Sequence, residues 1–221
     1  MKRIPEPELM DQYEQARAYA EADFNEPNSL FVNLFKEHFP WLDGKLLMAD
    51  LGCGPADITV RLARVYPEAE IHAIDGSEAM LLFAEKRLMT EALTDRIKLI
   101  RAFLPDDPLP SEGYDALFSN SLLHHLSNPA HLWSIIKRYG RSGSAILVMD
   151  LVRPESPDRA REIVETYSGN EPDVLKEDFF NSLCAAYTVQ EVKEQLYEAG
   201  LDSLEVKLVS DRHLLVAGVL E

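Results

Sequence analysis

Short apolar runs of β type alternate along the chain with stretches whose apolar residues recur at helical spacing. The runs are 46–50 (LLMAD), 70–75 (EIHAID), 97–101 (IKLIR), 114–119 (YDALFS) and 144–150 (SAILVMD), followed by 203–209 and 212–219. Helical patterns between the first five predict crossover connections, and crossovers join parallel strands. Only a few residues separate the last two runs, which predicts an antiparallel hairpin. The expected architecture is therefore α/β: an open, mostly parallel seven-stranded sheet with one antiparallel strand near the C-terminus and helices on both faces.

Local signals mark the helix ends. In NPAHLWSIIKRYG, Asn128 suits the N-cap, Pro129 the first helical position and Gly140 a left-handed residue after the end. In TVQEVKEQLYEAG, Thr188 and Glu191 form a capping-box pattern and Gly200 ends the helix. Residues 9–38 have a helical pattern carrying Tyr13, Tyr19, Phe24, Phe31 and Phe35, and are expected to pack as an extra layer or a lid. The most loop-like stretches are 104–113 and 153–173, although 153–187 as a whole reads as a helical insertion. A single domain over 1–221 is expected, divided into a helical cap (1–44), a cofactor-binding core (45–152), the insertion (153–187) and a last helix with hairpin (188–221).

At 221 residues, one full-size core is within reach. Thirty-eight acids against 22 Lys and Arg leave a formal charge of −16, which repels phosphate backbones and anionic membrane surfaces. The basic pairs Lys86-Arg87 and Lys137-Arg138 read as exposed helix faces. The first residues, MKRIPEPELMDQYEQ, lack a secretory apolar stretch and no later segment has membrane-span length, so a cytoplasmic location without nucleic-acid or membrane partners is expected. Cys53 and Cys184 show no metal-site or disulfide spacing, so both read as free thiols and no metal is expected. The oligomeric state stays open between monomer and homodimer.

The stretch LMADLGCGPADITVRLA, residues 47–63, carries the candidate chemistry. Ligands of open α/β sheets bind at the carboxyl ends of the strands. Gly52 and Gly54 remove Cβ atoms there, and the following helix offers free amides. Asp75 ends the next strand, where a carboxylate can accept from both hydroxyls of an unphosphorylated ribose, so a nucleoside-containing ligand is implied. Two cofactor classes fit. A dinucleotide calls for G-x-G-x-x-G, but the third position is Asp57, whose charge opposes a pyrophosphate.

The pattern instead resembles the first motif of class I S-adenosylmethionine-dependent methyltransferases. IHAIDGSEAMLLFAEKR looks like the family's second motif, YDALFSNSLLHHL like its fourth, SAILVMD like its fifth strand, and TVQEVKEQLYEAGL like the helix before its terminal hairpin. Ala56 departs from the family's third glycine, and RAFLPDD lacks its Gly-Asp pair.

The resemblance implies S-adenosylmethionine as cofactor, S-adenosylhomocysteine as product and a small-molecule methyl acceptor. It implies cofactor contacts at Asp50, Gly52, Cys53, Gly54, Asp75, Gly76, Ser77, Met80, Asn120 and Ser121, an adenine contact through the amide of Ala102 or Phe103, and cover from Tyr19. Asp50 would organise the glycine loop or hold the cofactor's ammonium group. Ser77 also reads as a helix cap, and Met80 as core. His124 is the candidate general base if the acceptor is a hydroxyl, and the substrate-facing member of the His124-His125 pair. Arg153 would pair with an anionic substrate or form an ion pair within the protein. A nicotinamide-dependent oxidoreductase and a non-catalytic cofactor-binding regulator are the competing readings, and the acceptor has no diagnostic motif.

Overall fold

The computed structural model describes residues 1–6 and 10–221. Seven strands, β1 (Leu47–Leu51), β2 (Glu70–Asp75), β3 (Ile97–Arg101), β4 (Tyr114–Asn120), β5 (Gly140–Leu151), β6 (Glu205–Leu208) and β7 (His213–Val219), form one sheet in the order β3-β2-β1-β4-β5-β7-β6. β1 pairs in parallel with β2 and β4, β2 with β3, and β4 with β5. β7 runs antiparallel between β5 and β6 and so does not form the sheet's edge. The order reverses at β1, where the β2 side and the β4 side diverge and leave a crevice at the strands' carboxyl ends.

Eight α-helices accompany the strands among the described residues: α1 (Tyr13–Glu21), α2 (Asn25–His38), α3 (Asp57–Val65), α4 (Glu78–Glu91), α5 (Ala130–Tyr139), α6 (Pro157–Ser168), α7 (Asp173–Ala185) and α8 (Val189–Ala199). Alternation along the strands sorts the core into two layers. Met48, Ala73, Phe118 and Leu147 meet Phe31, Phe35, Leu62 and Leu88 on one face, while Ala49, Ile74, Leu117 and Val148 meet Trp133, Ile136, Val192 and Leu196 on the other. No described helix is long and apolar enough to cross a membrane.

Three expectations change. The β3–β4 connection has no helix, because Pro105, Pro108 and Pro110 deny a helix its amide donors. The stretch 153–173 contains α6, which starts at Pro157 with the Ser156 side chain accepting from the Arg159 amide. Gly140 is extended at φ −74°, not left-handed, and begins β5; a Cβ there would lie 2.8 Å from the Ile136 backbone carbonyl, so crowding favours the glycine. The Asn128 side chain accepts from the Ala130 amide at 3.1 Å, while Thr188 and Glu191 complete their capping box and Gly200 is left-handed at φ 63°.

The N-terminal segment 9–38, expected as an extra layer or a lid, forms two helices in different surroundings; residue 9 lies outside the described residues. α2 is a core layer, with Phe31 and Phe35 fully buried and Phe35 edge-on to Phe118 and Tyr66. α1 packs on α4 through Tyr13 and Phe83, whose ring centroids are 5.4 Å apart, and also touches α7. Ahead of α1, Ile4 donates its amide to the Cys184 carbonyl at 3.0 Å, and Arg3 lies 4.0 Å over the Tyr187 ring.

Candidate active site

The turn from β1 into α3 is shaped by three left-handed residues. Gly52 (φ 74°) faces Leu122, whose Cδ1 would stand 2.9 Å from an added Cβ. Gly54 (φ 51°) faces nothing: no atom lies within 4 Å of its Cβ position. Ala56 (φ 62°) takes a conformation that costs a non-glycine residue roughly 1–2 kcal/mol. The Gly52 and Cys53 amides both donate to the Ile74 carbonyl at 2.9 Å, which ties the turn to the end of β2. Asp57, in the first turn of α3, takes Arg61 and Arg87, and Arg87 Nε also donates to the Pro55 carbonyl. The helix start thus presents a carboxylate clamped by two guanidinium groups, and not an open anion site.

Two carboxylates end adjacent strands. Asp75 organises the turn, a task assigned beforehand to Asp50: its Oδ2 accepts from the Gly54 amide and its Oδ1 from the Ser77 amide, each at 2.8 Å. Burial raises the Asp75 pKa against the lowering effect of these amides. Asp50 is buried and accepts from Thr59 Oγ1 at 2.5 Å. Burial pushes its pKa up to about 7, against the Thr59 hydrogen bond and with the repulsion of Asp75. Cys53 is also buried, and burial followed by the charges of Asp75 and Asp50 keeps its thiol well above the usual range.

Asn120 ends β4 on the other side of the crevice, and its side-chain oxygen is buried without a hydrogen-bond partner. Ser121 follows at φ 58°, with its amide on the Met149 carbonyl. Tyr19 of α1 packs with Met80 and Phe24, and burial, then the charges of Asp150, Asp57 and Asp75, raise its pKa to about 12.

Ser77 caps α4 by accepting from the Met80 amide at 3.1 Å, and donates to the Met10 carbonyl. Met80 is core, packed with Ala16, Tyr19 and Phe83. The two anticipated adenine amides are already engaged, Ala102 with the Asp75 carbonyl and Phe103 with Asp107 Oδ2. Gly76 stands between Asp75 and Ser77, the cap of α4.

The 3₁₀ turn Leu123–His125 follows β4. His124 is buried, with Nδ1 2.5 Å from Asp150 Oδ1 and Nε2 3.4 Å from Glu6 Oε1. Burial by itself would lower the His124 pKa, but the charge and hydrogen bond of Asp150, with Glu6, outweigh it and raise the value. An imidazole between two carboxylates favours its protonated form, which opposes the anticipated general-base role. His125 Nδ1 also lies 3.4 Å from Glu6 Oε1, so both rings approach one carboxylate oxygen.

Arg153 forms the ion pair within the protein that was the alternative to a substrate contact, with its Nε buried and unpartnered. Its guanidinium bonds Glu191 Oε1 at 2.7 Å and the Ala186 carbonyl at 3.1 Å, joining the exit of β5 to the capping box of α8.

Asp150, Thr59 and Glu6 were missed by sequence reasoning. Asp150 had a signal, since it is an acid near the end of β5, as Asp50 and Asp75 are of β1 and β2. Thr59 and Glu6 had none.

Comparison with known proteins decides the family. A methyltransferase domain model matches residues 42–200, most of the chain. The chain belongs to the methyltransferase domain family. It is 28% identical over 119 residues to the malonyl-[acyl-carrier protein] O-methyltransferase of Legionella pneumophila, covering 54% of this chain and 39% of that protein. It is 31% identical over 120 residues to the trans-aconitate 2-methyltransferase of Yersinia pestis, covering 53% and 44%. The chain thus spans less than half the length of these curated relatives. The structure of a SAM-dependent methyltransferase from Aquifex aeolicus superposes with a TM-score of 0.68, covering 95% of this chain and 99% of that one at 19% identity, a likeness of fold. Membership of the methyltransferase domain family removes the nicotinamide-dependent reading.

Proposed function

We propose that this methyltransferase-domain chain binds S-adenosylmethionine in the crevice at the carboxyl ends of β1, β2 and β4 and transfers its methyl group to a small-molecule acceptor. The observation that carries the reading is the buried, unpartnered oxygen of Asn120. Such an acceptor costs about 1–3 kcal/mol when left unsatisfied, and a ligand donor relieves it. The open volume over Gly54 and the adjoining carboxylates supply the other requirements of a nucleoside with a charged amino acid tail.

When bound, S-adenosylmethionine supplies a methyl carbon made electrophilic by its sulfonium. Asp75 keeps lone pairs beyond its two amide bonds and accepts ribose hydroxyls with them. Asp50, steadied by Thr59, accepts the ammonium group. Exposed Phe103, at the mouth beyond β3, offers a ring face to adenine in place of an amide. Tyr19 covers the tail and restricts water. The chain contributes alignment and a dry cleft more than chemically active side chains. His124, with both ring nitrogens facing carboxylates, is not assigned as the base. The charge of −16 favours a small molecule over nucleic acid as acceptor.

Asn120→Ala tests the reading. It removes an unsatisfied acceptor, so thermal stability should hold or rise, while affinity for S-adenosylhomocysteine measured by calorimetry should fall about tenfold, the loss of one buried hydrogen bond. An unchanged dissociation constant defeats the site. Methyl transfer from labelled cofactor into a metabolite extract tests turnover; binding without transfer would make the chain a cofactor-binding regulator.

A further inference from the structure

Apart from the nucleoside crevice, one cluster of ligating side chains has an arrangement that ion pairing does not explain. Glu6 Oε1, His124 Nε2 and His125 Nδ1 all lie within 4.8 Å of one another. Glu6 Oε1 stands 3.4 Å from each of the two ring nitrogens. It is buried, yet neither contact qualifies as a hydrogen bond. A direct carboxylate–imidazolium bond would close to about 2.7–2.9 Å. Two donor atoms each about 2.1 Å from a tetrahedral ion are instead held ~3.4 Å apart. The two spacings about Glu6 Oε1 match those of ligands around a shared ion.

The surroundings are those of a supported metal ligand. Asp150 Oδ1 sits 2.5 Å from His124 Nδ1, and Asp150 Oδ2 accepts the His124 main-chain amide at 3.3 Å. This leaves Nε2 as the ligating nitrogen, backed by a carboxylate on the far side of the ring. Glu6 is held in place by its own chain: Arg3 Nε donates to the Ala185 carbonyl at 2.5 Å, and Arg3 Nη2 to the carbonyls of His124 and Leu126 at 2.9 and 3.1 Å. Ser182 Oγ donates to the other Glu6 oxygen at 3.4 Å. The Arg3 charge opposes a cation, but the carboxylates of Glu6 and Asp150 balance a divalent ion bound to two neutral imidazoles.

We propose that Glu6, His124 and His125 bind one divalent transition-metal ion of the zinc class, with Asp150 orienting His124 from behind. Two imidazoles and a carboxylate suit zinc and its first-row neighbours more than magnesium or calcium, which take oxygen ligands. Three protein ligands leave a coordination position open, as in metal sites that take up a substrate oxygen or water. The ion takes the lone pair of a neutral imidazole, so a proton carried on His124 Nε2 is released on binding. The site does not depend on the cofactor reading, since none of its three ligands belongs to the nucleoside crevice.

The test uses the full, tag-free chain, stripped with chelator and titrated with Co(II) in the absence of any methyl donor. One equivalent should bind and develop the visible absorption of four- or five-coordinate Co(II), and one equivalent of Zn(II) should abolish it. Asp150→Asn should weaken binding roughly 10–100-fold, as loss of a ligand's supporting carboxylate does. Glu6→Gln and His125→Ala should weaken it further. A folding defect is separated by melting: Zn(II) should raise the melting temperature of the wild type in a concentration-dependent way and leave that of Glu6→Gln unmoved. No stoichiometric Co(II) spectrum in the wild type, or binding undiminished in Glu6→Gln and His125→Ala, overturns the proposal.

Discussion

At the scale of the residue, Asp50 couples the crevice to pH. Its carboxyl is buried against Thr59, and burial lifts its pKa to about 7. In the free protein this raised value makes the folded state hold a proton that the unfolded chain releases, so the associated stability is present below the ordinary carboxylate range and lost as pH rises to about 7. The ammonium group of S-adenosylhomocysteine needs the ionised form. Affinity should therefore rise about tenfold between pH 6 and 8, as a group titrating midway passes from mostly protonated to mostly charged. Calorimetry across that range should find the slope in the wild type and none in Asp50→Asn; a slope that survives the substitution assigns the titration to another group. Asp50 was legible in the sequence, but its proton was not, because burial comes from β2, β4 and α3 closing around it.

At the scale of the element, α1 and α2 look alike in sequence, since both carry aromatic residues at helical spacing. Their environments differ. Phe35 of α2 has no exposed surface and touches Phe39, Tyr66 and Phe118, whereas Tyr13 of α1 is 47% exposed and pairs with Phe83. Phe35→Ala should cost about 3–5 kcal/mol, the range for truncating a buried phenylalanine. Tyr13→Ala should cost under about 1.5 kcal/mol, the worth of one aromatic pair near the surface. Urea unfolding with unchanged m-values measures both. Equal losses would mean that α1 is as much a part of the core as α2. Periodicity finds an amphipathic helix but does not say which apolar face will be sealed, because sealing depends on what the sheet offers opposite.

At the scale of the whole molecule, acid stability is set by opposing buried groups. His213, at the start of β7, is depressed to about 4 by burial and by Arg212, against Asp150 and Asp211. Its stabilising contribution is present above the ordinary histidine value of 6.5 and lost as pH falls to about 4. By linkage this loss is on the order of 3 kcal/mol. Asp50 works in the other direction over much of the same window, gaining as pH falls. The wild type should therefore change stability less between pH 4.5 and 6.5 than either single variant. His213→Gln should become more stable on acidification and Asp50→Asn less, as read by denaturant midpoints at each pH. Parallel curves for all three proteins would remove both groups from the account.

The one-dimensional pattern determined the strands, their mostly parallel order, the N-cap of α4, the capped ends of α8 and the glycine turn, because each depends on neighbours a few residues apart. Alternation, helical spacing, caps and left-handed turns are local physics. It also determined that acids end β1 and β2. Tertiary structure alone decided that Asp75 holds the turn while Asp50 bonds Thr59, that Asn120 keeps an unpartnered oxygen, that Arg153 serves α8, and that Glu6 meets both histidines. All but the Asn120 oxygen are contacts between residues of different elements, created when the chain folds. No spacing in the chain encodes such contacts, because their geometry is set by packing.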